Sequence, residues 1–201
     1  MRTIYLLRHA QAEYYAHGYI GRTNYQLSLL GLMQAEQLRN FFTTQKSISA
    51  VFTSPLLRCQ QTAARIAAYL NPFVTLDELI EIDLGDWEGC SFEQIKQDQP
   101  QLYEQRGRSP FEVAPPNGEN FFECFVRGER ALRRAAASSY GDIAVVAHAG
   151  VNRALVCHLT GMPQSELFSI PQPFGCINTF LLDGGVLQVE QIGSLIWEEK
   201  A

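Results

Sequence analysis

The chain has 201 residues, of which 46% are hydrophobic and 18% charged, the balance of a folded globular protein rather than a disordered one. This length predicts a single domain spanning 1–201. The formal net charge is -5 with no run of Lys or Arg, so nucleic acid is not an expected partner. The apolar opening at 1–7 ends at Arg8, too short for a secretory signal or a membrane span, and a cytoplasmic location is expected.

Four short apolar runs rich in β-forming residues predict buried strands at 3–7, 50–53, 73–76 and 143–147. Apolar residues at helical spacing over 28–42 predict a helix between the first two strands. Ser54 and Pro55 are typical of an N-cap followed by the first residue of a helix. The alternation of strand and helix predicts an α/β fold with a mostly parallel central sheet and helices on both faces.

The alternation is interrupted at about 87–116, where prolines and glycines are frequent. Ser91 followed by Gln94 is a candidate capping box within this segment. The segment is therefore interpreted as a helical and loop insert over the edge of the sheet.

The C-terminal part predicts a long helix and a hairpin. The helix is expected over 119–139, with a buried stripe that includes Phe122, Phe125, Val126 and Leu132. Two last apolar runs, 177–182 and 186–192, flank Asp183-Gly184-Gly185, whose residue types favour a tight β-turn.

Five cysteines are scattered along the chain without a C-x-x-C pair or the ligand spacing of a zinc site. Reduced thiols, no structural disulfide and no metal site are therefore expected. No G-x-G-x-x-G or Walker-type sequence follows an apolar run, so no cofactor of the nucleotide kind is expected either.

Polar side chains follow three of the predicted strands at the point where each strand ends. Arg8 and His9 follow the first strand, Arg58 comes soon after the second, and His148 follows the fourth. Because the carboxyl ends of parallel strands share one edge of a sheet, these side chains are expected to converge. Arginine forks match phosphoryl oxygens, and a neutral imidazole can attack the phosphorus atom. The sequence therefore predicts a phosphoryl-transfer site.

The sequence resembles the histidine phosphatase superfamily, the phosphoglycerate mutase-like proteins, over most of its length. Any one of the shared motifs would be weak evidence, whereas five in the same order are specific. They are LRHA at 7–10, GRTNYQLS at 21–28, SPLLRCQQTA at 54–63, LGDWEG at 84–89 preceded by Glu81, and AHAG at 147–150.

The resemblance implies a phosphoglycerate mutase-like fold and a metal-independent, cofactor-free phosphatase acting on a small-molecule phosphomonoester. It implies that His9 is the nucleophile and that Glu81 is the proton donor, because loss of an alkoxide from a phosphomonoester needs a proton. The residues implied to bind phosphate are Arg8, Arg58, His148, Ala149 and Gly21.

Two departures from the family pattern bear on function. Ala10 replaces the usual glycine after the histidine, which is tolerable unless the backbone there needs a positive φ. Ala12 and Tyr15 stand where mutase-type members carry Ser and Asn, which favours hydrolysis. The alternatives left open are a broad-specificity phosphatase, a mutase-type phosphotransferase, a protein-phosphohistidine phosphatase and a non-catalytic phosphate-binding regulator.

Several other residues have ordinary structural interpretations. A lone histidine is more often a hydrogen-bonded core residue than a catalyst, which is the expectation for His17 and His158. Glu81 has several acidic neighbours, so a solvated acidic stretch is the competing interpretation. Trp87 is expected to anchor packing, with an indole N–H that needs a partner.

Among the family's compact phosphatases, those acting on α-ribazole 5'-phosphate, from the assembly of the cobalamin lower ligand, are the most similar. The likeness rests on 85–88, on 116–121 and on the later pairs at 162–163 and 175–176. Aromatic residues of the insert could then stack on a benzimidazole-like base at the mouth of the pocket. The candidates are Trp87, Phe92, Tyr103 and Phe111.

Overall fold

The computed structural model describes residues 1–13, 18–70 and 72–197. Within these ranges the strands form a six-stranded sheet with the order β3-β2-β4-β1-β5-β6. The strands are β1 (Arg2–Arg8), β2 (Ala50–Thr53), β3 (Val74–Thr75), β4 (Ile143–Ala147), β5 (Ile177–Asp183) and β6 (Val186–Ser194). Strands β3, β2, β4 and β1 pair in parallel, whereas β5 and β6 are antiparallel.

The described helices cover both faces of this sheet. They are α1 (Leu29–Thr44), α2 (Leu57–Ile66), α3 (Phe92–Asp98), α4 (Pro100–Arg108), α5 (Phe121–Ala137) and α6 (Ala149–Thr160). Successive side chains of a strand point to opposite faces, so Tyr5 and Leu7 pack with α1 and α2 while Ile4 and Leu6 pack with α5 and α6. The predicted α/β fold class is confirmed, and none of the described helices is long and apolar enough to span a membrane.

The predicted start of α2 is wrong. The helix begins at Leu57 with Leu56 as its N-cap, and no side chain caps it. The hydroxyl of Ser54 lies 2.7 Å from Nε2 of His148, so this side chain serves the carboxyl edge of the sheet rather than the helix. The strand expected over 73–76 is also shorter, because β3 is an exposed edge strand of two residues.

The buried stripe of α5 differs in part from the prediction. Asn120 caps the helix in a full capping box with Glu123, which sets its start. Phe125 and Leu132 are buried as expected, but Phe122 and Val126 are 48% and 39% exposed. Positions 122 and 126 each follow a core position by one residue, about 100° around the helix, and therefore face solvent.

The segment 87–116 contains α3 and α4. Ser91 caps α3 by accepting a hydrogen bond from the backbone N–H of Gln94. Trp87 is buried and its indole N–H donates to Gln99 Oε1 at 3.2 Å, which confirms its interpretation as a packing anchor. That this segment is an insert within a single domain stays a prediction.

Three further expectations concern the hairpin turn, the cysteines and the histidines outside the predicted site. The hairpin turn is confirmed, because Gly184 and Gly185 join β5 to β6 with φ of 53° and 86°. All five cysteines are free thiols. The expectation for His158 is wrong: it lies exposed in the last turn of α6 and stacks on Phe125 with ring centroids 3.7 Å apart. His17 and Tyr15 lie outside the described residues.

Candidate active site

The two predicted site histidines meet at the carboxyl edge of the sheet. Strands β1 and β4 are neighbours whose last residues, Arg8 and Ala147, are in register, so the next residue of each strand leaves the sheet at the same point. The backbone N–H of His9 donates to the Ala147 carbonyl at 3.0 Å. The rings of His9 and His148 consequently lie 5.2 Å apart in an edge-to-face arrangement.

His9 is held in one tautomer. Its side chain is buried, and Nδ1 lies 2.8 Å from the Ala10 carbonyl oxygen, an atom that can only accept a hydrogen bond. Nδ1 therefore carries the proton and Nε2 carries the lone pair. Burial, followed by the charges of Arg58 and Arg8, lowers the pKa of His9 well below its ordinary value, so the ring is neutral at physiological pH.

Arg58 points at this lone pair. It lies in the first turn of α2, is buried, and donates from Nε to Nε2 of His9 at 3.2 Å. Its other two nitrogens donate to the backbone carbonyls of Thr23 and Gly21, each at 2.7 Å. Neutral carbonyl oxygens thus orient the guanidinium without neutralising it, which leaves its positive charge available to an anion.

Gly21 supports Arg58 rather than facing a ligand. Its N–H is bonded to the carboxylate of Glu88, which also accepts the N–H groups of Arg22 and Thr23. A Cβ atom at Gly21 would lie 2.7 Å from the backbone oxygen of Ile82 and 2.6 Å from Glu88 Oε2, so only glycine permits this close approach. In this structure the amide of Gly21 is therefore occupied within the protein, although a direct phosphate contact was predicted for this residue.

Arg8 and His148 complete the cluster. Arg8 lies with its Cζ 3.7 Å above the ring of Phe174 and donates from Nη1 to the Gln172 carbonyl. His148 is fully buried, with Nε2 at 2.7 Å from the hydroxyl of Ser54. Burial, followed by the charge of Arg58, lowers the pKa of His148 well below its ordinary value. All four side chains predicted to converge are brought together.

Glu81 reaches the same edge from the loop before Trp87. It is 6% exposed, and its carboxylate accepts hydrogen bonds from the backbone N–H groups of Ile82, Gly150 and Val151 at 2.8, 3.1 and 3.2 Å. Two of these donors belong to the first turn of α6, the positive end of the helix dipole. The alternative of a solvated acidic stretch does not fit this burial.

A cavity of about 620 Å³ opens beside the cluster. Arg8, Glu81 and Ala149 form part of its wall, and Ala149 is the first residue of α6. Its remaining wall is rich in aromatic side chains, namely Tyr19, Trp87, Phe92, Tyr103, Phe121 and Phe168. Three of the four predicted aromatic residues line it. Phe111 does not, because it packs against Phe121 and His158.

Within the described residues, no group of three or more His, Cys, Asp or Glu side chains is arranged to hold a metal ion. The cationic side chains of the cluster are arginines, which stay positively charged at physiological pH and can bind a phosphoryl group themselves. The arrangement can therefore bind a phosphoryl group and present an imidazole lone pair to it.

A family model described as the histidine phosphatase superfamily, branch 1, matches residues 4–194. The chain belongs to this superfamily. A Hydrogenobacter thermophilus protein named putative phosphoserine phosphatase 2 is 31% identical over 186 residues, which cover 92% of this chain and 91% of that protein. The fold and the relatives of this histidine phosphatase identify it as a phosphoric monoester hydrolase.

Two solved structures show the same fold at similar length. The α-ribazole phosphatase from Shigella flexneri is 27% identical, with a TM-score of 0.79 over 96% of each chain. The Bacillus stearothermophilus protein YhfR is 26% identical, with a TM-score of 0.86 over 97% of this chain and 98% of its own. The resemblance seen in the motifs is thereby confirmed for the family.

Sequence reasoning missed several residues around the site of this histidine phosphatase. Thr23 and Glu88 lie inside two of the quoted motifs, so their spacing relative to Arg58 could have suggested a role. Arg106 and Arg153 also line the cavity. Neither belongs to a motif, and no pattern in the sequence distinguishes them from surface arginines.

Proposed function

We propose that this histidine phosphatase hydrolyses phosphomonoesters without a metal ion, through a phosphohistidine on Nε2 of His9. The observation that carries the proposal is the tautomer of His9, whose proton is on Nδ1 and whose lone pair faces Arg58. A neutral imidazole beside cationic phosphate ligands is a competent nucleophile.

In the first step the lone pair on Nε2 of His9 forms a bond to phosphorus while the bond from phosphorus to the ester oxygen breaks. Arg8 and Arg58 stabilise the charge spread over the three remaining phosphoryl oxygens. A phosphoryl oxygen then takes the place of Nε2 as the acceptor of the Arg58 Nε–H. His148, neutral and buried, can donate a further hydrogen bond to the same group.

Glu81 supplies the proton to the leaving oxygen and recovers one from water. Its carboxylate accepts three backbone N–H groups, two of them from the first turn of α6, which fix its orientation. Because Glu81 also lines the cavity, it lies where it can pass a proton to the leaving oxygen of a bound phosphomonoester. In the second step water attacks the phosphohistidine, Glu81 accepts the water proton, and inorganic phosphate leaves with His9 neutral again.

The reaction is tested by release of phosphate from p-nitrophenyl phosphate with and without EDTA. The wild-type enzyme should be equally active in both, because the arginines supply the charge that a divalent ion would otherwise provide. His9→Ala should lose at least about 100-fold in kcat. Activity that vanished with chelation and returned with a divalent cation would contradict the proposal.

For the substrate, we propose a phosphomonoester with a bulky, flat leaving group, of the α-ribazole 5'-phosphate type. Two observations support it: the aromatic wall of a cavity of about 620 Å³, and the α-ribazole phosphatase among the structural neighbours. Phosphoserine is the second candidate, because a sequence relative is named a putative phosphoserine phosphatase. Its leaving group is small and would leave most of the aromatic wall without a contact.

Relative kcat/KM values for α-ribazole 5'-phosphate, phosphoserine, phosphoglycerate and simple sugar phosphates test this choice. A preference for α-ribazole 5'-phosphate supports it. Equal values across the panel would show a broad-specificity phosphatase, and transfer of phosphate to a second phosphoglycerate would show mutase activity. Either result would remove the α-ribazole assignment and leave the phosphohistidine chemistry intact.

A further inference from the structure

Arg106 is a buried cation in the wall of the cavity. It lies near the end of α4, is 2% exposed, and lines the same cavity as Arg8 and Glu81. Its Nε and Nη2 atoms are buried and have no hydrogen-bond partner among the described residues. Leaving charged donors unsatisfied in the interior is unfavourable, so a position of this kind calls for an explanation.

The surroundings of Arg106 are aromatic. Its Cζ lies 5.1 Å from the ring centroid of Phe121, 5.6 Å from Trp87, 5.7 Å from Phe168 and 6.0 Å from Tyr19. Ring faces stabilise the positive charge through cation–π attraction, but they offer no lone pair in the plane of the guanidinium. The charge is therefore accommodated while the two N–H donors are not.

The same rings and Arg106 form part of one cavity wall, so a ligand in the cavity lies against both. Trp87, Tyr19, Phe121 and Phe168 all line it. The exposed Arg108, two residues further along α4, is instead paired with Glu104. Arg106 thus differs from Arg108 in lining the cavity and in having two donor atoms without a partner among the described residues.

The two unpartnered atoms define the shape of the group they would bind. In a guanidinium, Nε and Nη2 form one edge whose two N–H bonds are nearly parallel. Such a fork matches two oxygen atoms held side by side in the ligand, as in a carboxylate or a vicinal cis-diol. The reacting phosphoryl group is already held by Arg8 and Arg58, so these oxygens belong to the leaving group.

We propose that Arg106 is a specificity-determining residue that donates from Nε and Nη2 to a pair of adjacent oxygen atoms on the leaving group of the substrate. This inference rests on the proposed phosphatase function and deepens it. The leaving group would stack against the aromatic wall, with its paired oxygens directed at Arg106. A ribose cis-diol and a carboxylate offer the same pair of acceptors, and the experiment separates them.

The test compares kcat/KM for matched substrates in the wild type, Arg106→Met and Arg108→Met. One pair is α-ribazole 5'-phosphate and its 2',3'-dideoxy analogue, which differ in the cis-diol. The other pair is phosphoserine and phosphoethanolamine, which differ in the carboxylate. Phenyl phosphate, which lacks both groups, serves as the reference substrate.

In one of the two pairs, Arg106→Met should lower kcat/KM by about 10- to 100-fold for the substrate that carries the paired oxygens. The reason is the loss of two charge-assisted hydrogen bonds. Its activity on phenyl phosphate should stay within about threefold of the wild type, and Arg108→Met should behave as the wild type throughout. Loss confined to the diol pair supports the proposal with ribose as the source, and loss confined to the phosphoserine pair supports it with a carboxylate.

Thermal unfolding separates this role from a structural one. Replacing a buried cation that lacks hydrogen-bond partners with an apolar side chain of similar length should leave the Tm of Arg106→Met equal to or above that of the wild type. A lowered Tm with equal losses on all substrates would overturn the proposal. Arg106→Lys, which keeps the charge but not the fork, should show the same substrate-dependent loss and provides a second test if the Met variant fails to fold.

These outcomes remain separate from those of the proposed function. A wild-type enzyme that released no phosphate from any of these substrates would contradict the phosphatase chemistry itself. A wild-type enzyme that was active on all of them, with unchanged ratios in both Arg106 variants, would contradict the role of Arg106 alone.

Discussion

A chain of contacts connects Glu88 to His9. The carboxylate of Glu88 accepts three backbone N–H groups from the loop that begins at Gly21, and that loop's carbonyls orient Arg58. Arg58 in turn donates to His9. Glu88 is therefore a positioning residue that touches neither His9 nor the cavity.

We expect Glu88→Gln to lower kcat/KM for p-nitrophenyl phosphate by about 10-fold, because the amide NH₂ cannot accept the loop's N–H groups and a small displacement of Arg58 weakens charge stabilisation. Steady-state kinetics measure the effect, with Glu93→Gln on the exposed face of α3 as the matched control. Equal kinetics in the two variants would mean that the loop keeps its shape without Glu88.

We propose Glu81 as the proton donor, and a leaving-group comparison tests that role. Glu81→Gln should lower kcat by about 100-fold for an alkyl phosphate but by only a few-fold for p-nitrophenyl phosphate, whose leaving group needs little protonation. The ratio of the two losses is the measured quantity. Equal losses on both substrates would assign Glu81 a structural role instead.

Sequence motifs predicted most of the residues of the candidate site. Arg8, His9, Arg58 and His148 converge as expected, since each lies at or soon after the carboxyl end of a strand, and these ends share one edge of the sheet. Arg106 could not be predicted. The rings around it come from four separate segments that only the folded chain brings together, so its burial leaves no local pattern in the sequence.

The first turn of α6 is the element on which Glu81 depends. Gly150 lets the carboxylate approach the backbone N–H groups of this turn, since a Cβ atom there would lie 2.5 Å from Glu81 Oε1. We expect Gly150→Ala to displace Glu81 and to reproduce the leaving-group dependence of Glu81→Gln, measured with the same two substrates. An unchanged alkyl phosphatase activity would show that the turn accommodates the methyl group.

Elements with strong local signals were predicted well, and elements shaped by tertiary contacts were not. Strands β2 and β4 agree with their apolar runs, and the Gly184-Gly185 turn agrees with its composition. The start of α2 differs because the chain is still extended at Leu56, where the Ser54 hydroxyl accepts the Leu56 N–H and lies beside His148 without capping the helix. Position 10 does not require glycine, since Ala10 has no positive φ.

Burial of two neutral histidines makes the free energy of unfolding of the whole molecule depend on pH. Burial, with the neighbouring arginine charge, lowers the pKa of both His9 and His148 in the folded state. Below the unfolded value of about 6.5 the unfolded chain therefore binds more protons, and the free energy of unfolding falls as the pH falls. Above that value the two histidines make no such contribution.

We expect urea unfolding to show a lower stability at pH 5.5 than at pH 7.5, by at most about 1.4 kcal/mol per pH unit for each histidine. His9→Asn should reduce this dependence, because it removes one of the two histidines whose pKa is lowered by folding. An identical dependence in the wild type and His9→Asn would contradict the neutral, buried state of His9.

Transfer of the phosphoryl group through His9 can be observed directly. The most direct measurement is to quench wild-type enzyme during turnover of a ³²P-labelled phosphomonoester under conditions that preserve phosphoramidates, and to map the label by mass spectrometry. We expect an acid-labile phosphate on the peptide that contains His9, absent from His9→Ala and enriched in Glu81→Gln when an activated aryl phosphate is used. A label on another residue, or turnover in His9→Ala close to that of the wild type, would contradict it.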